Sequence, residues 1–302
     1  MKVFIRNCSA YLCIMALVLF VISRIFDYRN QDDVDGTFKF RSVPSNIQIA
    51  NMGSSHGKYS FSYEGISDEN CFNFGLSSQT LSYDYNILNE YISHMDDNSI
   101  LFIVVSYFSF YKDEETESDF HSKNLRYYEI LSPQNIKDYS IFDDYIYDWF
   151  SVMAPSKRHI STIANAFLGI KPQRSNDELN KEMVEGSVSG WQANVGTINE
   201  KEVSAVYDII ELCRENNITP ILITTPYLSE YTDRATQDFL DDWYGIINKI
   251  QSECDVLYWD YSKDATFSNS YEYFFDYFHL NEEGAKVFTK MVLDRVVKEE
   301  IR

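Results

Sequence analysis

Ile47-Gln48-Ile49-Ala50-Asn51-Met52-Gly53-Ser54-Ser55-His56-Gly57 is the stretch on which the fold is read. Ile47 to Met52 is short and mainly apolar, as expected of a strand, and Gly53 ends it because glycine tolerates the backbone of a tight turn. Ser55 then falls at the start of a helix. An apolar strand that turns sharply into a helix is the elementary unit of an α/β fold.

The pattern repeats on either side of the next glycines and polar clusters. Asn70 to Phe74 forms a second strand candidate, closed by Gly75. Gln79 to Met95 reads as a helix with Leu81, Tyr85, Leu88 and Ile92 on one face. Ser99 to Val105 is a continuous β-branched and aromatic run, the sign of a strand covered on both faces. Glu200 to Asn216 is a helix that buries Val203, Val206, Ile210 and Cys213, and Asn199 with Glu202 has the spacing of a capping box. Thr219 to Thr224 is the fourth strand, Thr232 to Ser252 a helix, and Asp255 to Asp260 the fifth strand. Asn281 caps a last helix with Ala285, Phe288, Val292 and Val296 turned inward. Five apolar strands alternating with helices imply a doubly wound, mainly five-stranded parallel sheet in three layers. We expect this domain over 46–302, with an insertion after the third strand at about 106–198, where acidic and then Tyr/Asp-rich sequence breaks the alternation.

Composition narrows the function. The chain has 302 residues, 45% hydrophobic, with 23 Tyr and 21 Phe, which is enough for one sizeable core. Its 46 acidic against 26 basic residues give a net charge of −20, which repels a phosphate backbone and argues against nucleic acid as partner. The cysteines Cys8, Cys13, Cys71, Cys213 and Cys254 show no metal-ligand spacing, so a zinc site is not expected. No other metal and no organic cofactor is implied.

The N-terminus bears on location. Lys2 and Arg6 precede an uncharged run from Cys8 to Ser23, about 24 Å of helix at ~1.5 Å per residue. Ile5, Ile25 and Phe26 extend it toward a hydrocarbon core of roughly 30 Å, and Arg6 and Arg24 can snorkel to the headgroups. Residues 1–26 are therefore expected to be an uncleaved membrane anchor with a cytoplasmic N-terminus, followed by a polar stalk over 27–45. A signal peptide cleaved before Arg24 is the alternative. Both place the domain outside the cytoplasm.

Hydrolytic serine chemistry needs a hydroxyl on a sharp strand-to-helix turn, a histidine to take its proton and a carboxylate to orient the histidine. Ser55 meets the first need. Phe275-Asp276-Tyr277-Phe278-His279-Leu280-Asn281 meets the others, since Asp276 can reach one imidazole nitrogen of His279 and leave the second for Ser55. Gly-Ser-Ser turns and Asp/His pairs are each common. Their joint placement, at the end of the first strand and just before the last helix, is more specific. His56 adjoins the nucleophile, but neighbours on a helix diverge by about 100°, so it is read as a substrate contact and not as the base. Trp191, in the stretch Gly186 to Gly196, could stack on a sugar, or belong to an ordinary exposed loop.

In these two blocks the chain resembles the SGNH (GDSL-like) hydrolases and acyltransferases. The resemblance implies Ser55 as nucleophile, His279 as general base, Asp276 as its orienting carboxylate, and the backbone N–H groups of Ser55 and Gly75 as an oxyanion hole. The family's Gly-Asp-Ser is Gly53-Ser54-Ser55 here, and its Gly-x-Asn-Asp block has no counterpart after Val105, where Ser106 or Ser109 could take the asparagine's place. With the N-terminal anchor, the chain looks like the extracytoplasmic branch of the family that modifies teichoic acids and exported polysaccharides. That implies a glycan acceptor and an acyl donor, or a membrane protein that supplies the donor.

Overall fold

A computed structural model describes residues 1–29, 36–67, 69–111, 123–153, 168 and 196–301. The chain separates into two compact units, one of Met1–Arg41 with Thr116–Gln173, the other of Ser42–Glu115 with Arg174–Arg302.

The larger unit holds five parallel strands: β1 (Ile47–Met52), β2 (Cys71–Asn73), β3 (Met95–Val104), β4 (Thr219–Thr224) and β5 (Leu257–Asp260). Their order is β2-β1-β3-β4-β5. The direction of winding reverses at β1, so a crevice opens between the carboxyl ends of β1 and β3, where open α/β sheets bind ligands. With α1 (Lys2–Arg29) and α4 (Ile141–Trp149) in the other unit, the helices of this one are α2 (Ser55–Ser60), α3 (Leu81–Tyr91), α5 (Glu200–Glu215), α6 (Ser229–Thr232), α7 (Gln237–Cys254) and α8 (Glu282–Lys298). α3 packs on α5 and α2 on α8, which gives the three-layer α/β fold expected from the sequence. The middle of β3 is sealed on both faces: Ile100 to Val104 are almost entirely buried, and Phe102 stacks on Phe61, which meets Phe288 of α8 edge-on at 5.4 Å.

Local details depart from the sequence reading for physical reasons. β3 begins at Met95, four residues early, because Ile47 pairs with Met95 across a register shift. The helix expected from Gln79 starts at Leu81, since Thr80 caps it by accepting the Tyr83 N–H. The helix expected from Thr232 begins at Gln237, capped by Thr236. Asn199 caps α5 through the Lys201 N–H, but no capping box forms. Asn199 instead donates its N–H to the Phe110 carbonyl, and the Glu202 carboxylate reaches across to the N–H and hydroxyl of Ser82, joining α5 to α3.

In the smaller unit α1 (Lys2–Arg29) is long and apolar enough over Lys2–Asp27 to cross a membrane, a property it shares with signal sequences. The helix thus runs into the segment expected to be a stalk, and Phe40, in the 3-10 turn Phe38–Ser42, is buried. Near its end Phe26 packs against Val152 with Ile22 alongside. The short helix α4 (Ile141–Trp149), capped by the Ser140 hydroxyl, belongs to the same unit.

Glu202 is 3% exposed, and burial pushes its carboxyl up against the opposing pull of the Ser82 hydrogen bonds. Glu202→Ala should leave the Ser82 N–H without its acceptor and lower stability by about 1–3 kcal/mol. The check is a lower urea midpoint at unchanged slope.

Candidate active site

The turn after β1 is built around Gly53. Its φ of +127° suits glycine, and a Cβ there would lie 2.8 Å from the Val104 Cβ at the end of β3. The Gly53 N–H donates to Asp84 Oδ1 at 2.9 Å, and its carbonyl accepts from the Leu76 N–H. Ser54 then caps α2 through its hydroxyl. Ser55 is the first residue of that helix, half-buried, and its N–H carries no hydrogen bond among the described residues.

The second half of the site is a tight loop between β5 and α8. Phe274 and Leu280 form an antiparallel bridge, the Phe275 N–H donates to the His279 carbonyl, and the Asn281 N–H donates to the Tyr273 carbonyl. Asn281 Oδ1 then caps α8 by accepting from the Gly284 N–H at 3.0 Å. Within the loop Asp276 Oδ1 accepts the N–H groups of Phe278 (3.0 Å) and His279 (2.8 Å), which fixes the carboxylate.

These two halves meet. His279 Nε2 lies 2.7 Å from Ser55 Oγ, and His279 Nδ1 lies 2.8 Å from Asp276 Oδ2. The side chains of His279 and Asp276 are 13% and 16% exposed, so the pair is screened from bulk water but open at the serine. Burial pushes the Asp276 carboxyl up. The hydrogen bond and charge of His279, with the two backbone N–H groups, outweigh it and hold the group below its ordinary value. An ionised Asp276 fixes Nδ1 as the protonated nitrogen and leaves Nε2 to accept a proton from Ser55. Phe278 and Tyr59 flank the imidazole, with ring centroids at 4.5 and 5.5 Å. Asp260, the other carboxylate at a strand end, accepts instead from the Tyr244 hydroxyl and the Ser262 N–H.

The remaining candidates fare differently. Gly75 lies against the site, so close to α2 that a Cβ would come within 2.6 Å of the Lys58 nitrogen. Its N–H donates to Asn73 Oδ1 at 2.9 Å, so it reaches an oxyanion only by sharing that hydrogen. His56, expected to touch substrate, is fully buried behind Ser55, and that expectation is corrected: its ring packs against His279, Phe108, Tyr227 and Phe278. Its Nδ1 faces the hydroxyls of Ser106 (2.7 Å) and Tyr227 (3.2 Å). Burial first, then the neighbouring His279, push the His56 imidazole well below its usual range despite the opposing Asp276 charge, so the ring is neutral. Ser106, a candidate for the absent asparagine, spends its hydroxyl on His56, and the Ser109 hydroxyl accepts the Ser106 N–H. Trp191 lies outside the described residues. Among those described, no three or more His, Cys, Asp or Glu gather as a metal site would require.

Three site residues escaped the sequence reading. Asn73 and Asn51 interlock behind α2, and nothing in a strand pattern marks an asparagine as a brace. Asp84, on the first turn of α3, is 1% exposed and holds Gly53 in place; only its inward helical phase hinted at this. Burial pushes its carboxyl well above the ordinary value of 3.8, and Glu202 adds to the effect, while the bonds from Gln79 and Gly53 oppose it.

A carboxyl protonated in the fold and ionised when unfolded gives the native state an extra proton. Its contribution is complete below pH 3.8 and is lost as pH rises toward the folded value, by up to ~1.4 kcal/mol per pH unit. Asp84→Asn keeps an acceptor for Gly53 and removes this slope. The variant should gain in denaturant midpoint relative to wild type as pH rises above 3.8.

No protein-family model and no curated protein matches the sequence. Among solved structures, the chain is similar to a crystal structure from Bacteroides fragilis NCTC 9343 described as a "putative acylhydrolase". The two share 12% identity and a TM-score of 0.43 over 87% of this chain and 94% of the other.

Proposed function

We propose that this protein is an exported serine-dependent O-acyltransferase or esterase acting on a cell-envelope or secreted polysaccharide. The observation that supports the chemistry is the unbroken chain from Ser55 Oγ through the two nitrogens of His279 to Asp276. The apolar N-terminal helix supports the location, and the resemblance of the two sequence blocks to the extracytoplasmic SGNH enzymes supports the polymer substrate.

In the first half-reaction Ser55 Oγ bonds to the acyl carbon of a donor ester as its proton passes to His279 Nε2. The carbonyl electron pair moves onto oxygen, and Asp276 stabilises the imidazolium through Nδ1–H. Collapse of the tetrahedral intermediate breaks the bond to the donor's alcohol oxygen, which takes the proton from His279. A sugar hydroxyl then gives its proton to Nε2 and attacks the acyl-serine; the acyl–Oγ bond breaks, and the Ser55 oxygen leaves with that proton from His279. Water in the same place gives hydrolysis. The free Ser55 N–H is one oxyanion donor, and Gly75 N–H is the second if Asn73 Oδ1 shares it.

A catalytically silent scaffold that binds a glycan or a membrane partner is the rival reading. The engagement of Gly75 N–H by Asn73 and of Ser106 by His56 favours it, because both weaken the oxyanion hole.

A fluorophosphonate serine probe should add once to the full chain, as read by intact mass. Ser55→Ala should abolish labelling and Ser54→Ala should leave most of it, while His279→Ala should slow it on the order of 10²- to 10⁴-fold. Labelling that survives Ser55→Ala would sink the assignment. No labelling of the folded wild type would favour the scaffold.

A missing oxyanion donor commonly lowers turnover on the order of 100- to 1,000-fold, so hydrolysis of a p-nitrophenyl ester in buffer should be slow. An oligosaccharide acceptor should raise turnover and appear acylated in the products, because a bound hydroxyl competes with water through its effective concentration. Fast hydrolysis that no acceptor alters would mark a plain esterase.

A further inference from the structure

Helix α4 carries an apolar face that is largely exposed. Ile141 is 64% exposed, Phe142 71%, Tyr145 65% and Trp149 55%, and Met153 just beyond is 43% exposed. At about 100° per residue the four helical positions fall within an arc of roughly 100°, one side of the helix. Asp143 falls on the opposite side, and Asp144 is engaged by the Tyr139 hydroxyl.

The far end of this face abuts α1. The Trp149 ring lies 5.7 Å from that of Phe20, and the Arg24 guanidinium donates to the Asp148 carbonyl while pairing with Asp27 at 3.1 Å. Ser23 Oγ accepts from the Val152 N–H, and Phe26 packs on Val152. The level of this contact along α1 is informative. From Arg6 to Arg24 the helix rises about 27 Å, close to a hydrocarbon core of roughly 30 Å, so the two arginines mark its opposite edges. Trp149, one turn below Arg24, therefore stands at the depth where tryptophan and tyrosine concentrate in membrane proteins.

We propose that α4 is an interfacial helix: it lies in the exported leaflet with Ile141, Phe142, Tyr145, Trp149 and Met153 among the headgroups and upper acyl chains, beside the spanning α1. The occupant of the face is lipid because the face is continuous with α1 at bilayer depth, so any protein covering it would itself have to sit in the membrane. Attachment is apolar, not electrostatic, since a chain of net charge −20 gains nothing from anionic lipid. The proposal rests on α1 being a membrane anchor and is independent of the chemistry at Ser55.

The test uses the full chain in phosphatidylcholine vesicles, with and without lipid brominated near the headgroup. Trp243 and Trp259 are buried and Trp191 is removed by Trp191→Phe throughout, so the emission lost on Trp149→Phe isolates Trp149, and Phe142→Trp in the doubly substituted background reports on the distant end of α4. Both positions should lose at least half their emission to brominated lipid and little to aqueous iodide. Quenching by iodide alone would show α4 in water, quenching by neither would show a second protein surface over it, and lipid quenching of position 149 alone would show the helix leaving the membrane. Each result overturns the proposal. So does failure of the chain to float with the vesicles, which would remove the anchor while leaving probe labelling of Ser55 intact.

Discussion

The side-chain amide of Asn73 supplies what the short helix α2 cannot supply for itself. A helix of six residues is mostly ends, and its last carbonyls have no partners within it. Asn73 Nδ2 reaches the carbonyls of Gly57, Lys58 and Phe61, each at 3.1 Å, while its Oδ1 accepts from Gly75 and from Asn51 Nδ2. One residue at the end of β2 thus holds the helix that bears Ser55, the backbone of Gly75 and the side chain of β1. Helix nucleation is unfavourable at this length, so α2 owes its shape to this brace and to the close approach of Gly57 and Gly75.

Three ionisable groups around the same turn show how environment separates their states. Asp84 is sealed under Gly53 with hydrogen bonds too few to offset desolvation, and its carboxyl is pushed well above its ordinary value. Asp276 is nearly as secluded but has an imidazole and two backbone donors, and is charged. His56, walled in by aromatic rings, is neutral and stands beside the charge of the Asp276–His279 pair without competing for it. A neutral wall of low polarity strengthens the hydrogen bond that the Asp276 carboxylate makes to His279.

The sequence made the fold legible where burial was two-sided. β3 and β4 are continuous apolar runs because both faces are covered, and a run of that kind survives without any alignment. Element ends were less legible because they depend on caps and pairing: Thr80 and Thr236 each moved a helix start, and a register shift lengthened β3. The meeting of Ser55, His279 and Asp276 was legible because a serine at a strand-to-helix turn and an Asp-x-x-His before a capped helix are local patterns that the order of the elements brings together. Asn73 and Asp84 were not, because a brace is defined by what it touches across the fold and leaves no local pattern. His56 misled for the same reason: adjacency to Ser55 said nothing about the rings that enclose it.

Ser55 and His279 are 224 positions apart, and the order of the strands determines what lies between them. β1 and β2 pair from sequence that is close at hand, whereas the loop bearing Asp276 and His279 is framed only when α8 docks against α2. A growing chain therefore contains the Ser55 hydroxyl long before it contains the imidazole that meets it. Long-range contacts of this kind form late, after the loop entropy of the whole domain has been overcome. A chain arrested or clipped ahead of residue 276 has the sequence of all five strands and neither of the two side chains, Asp276 and His279, that complete the contact with Ser55.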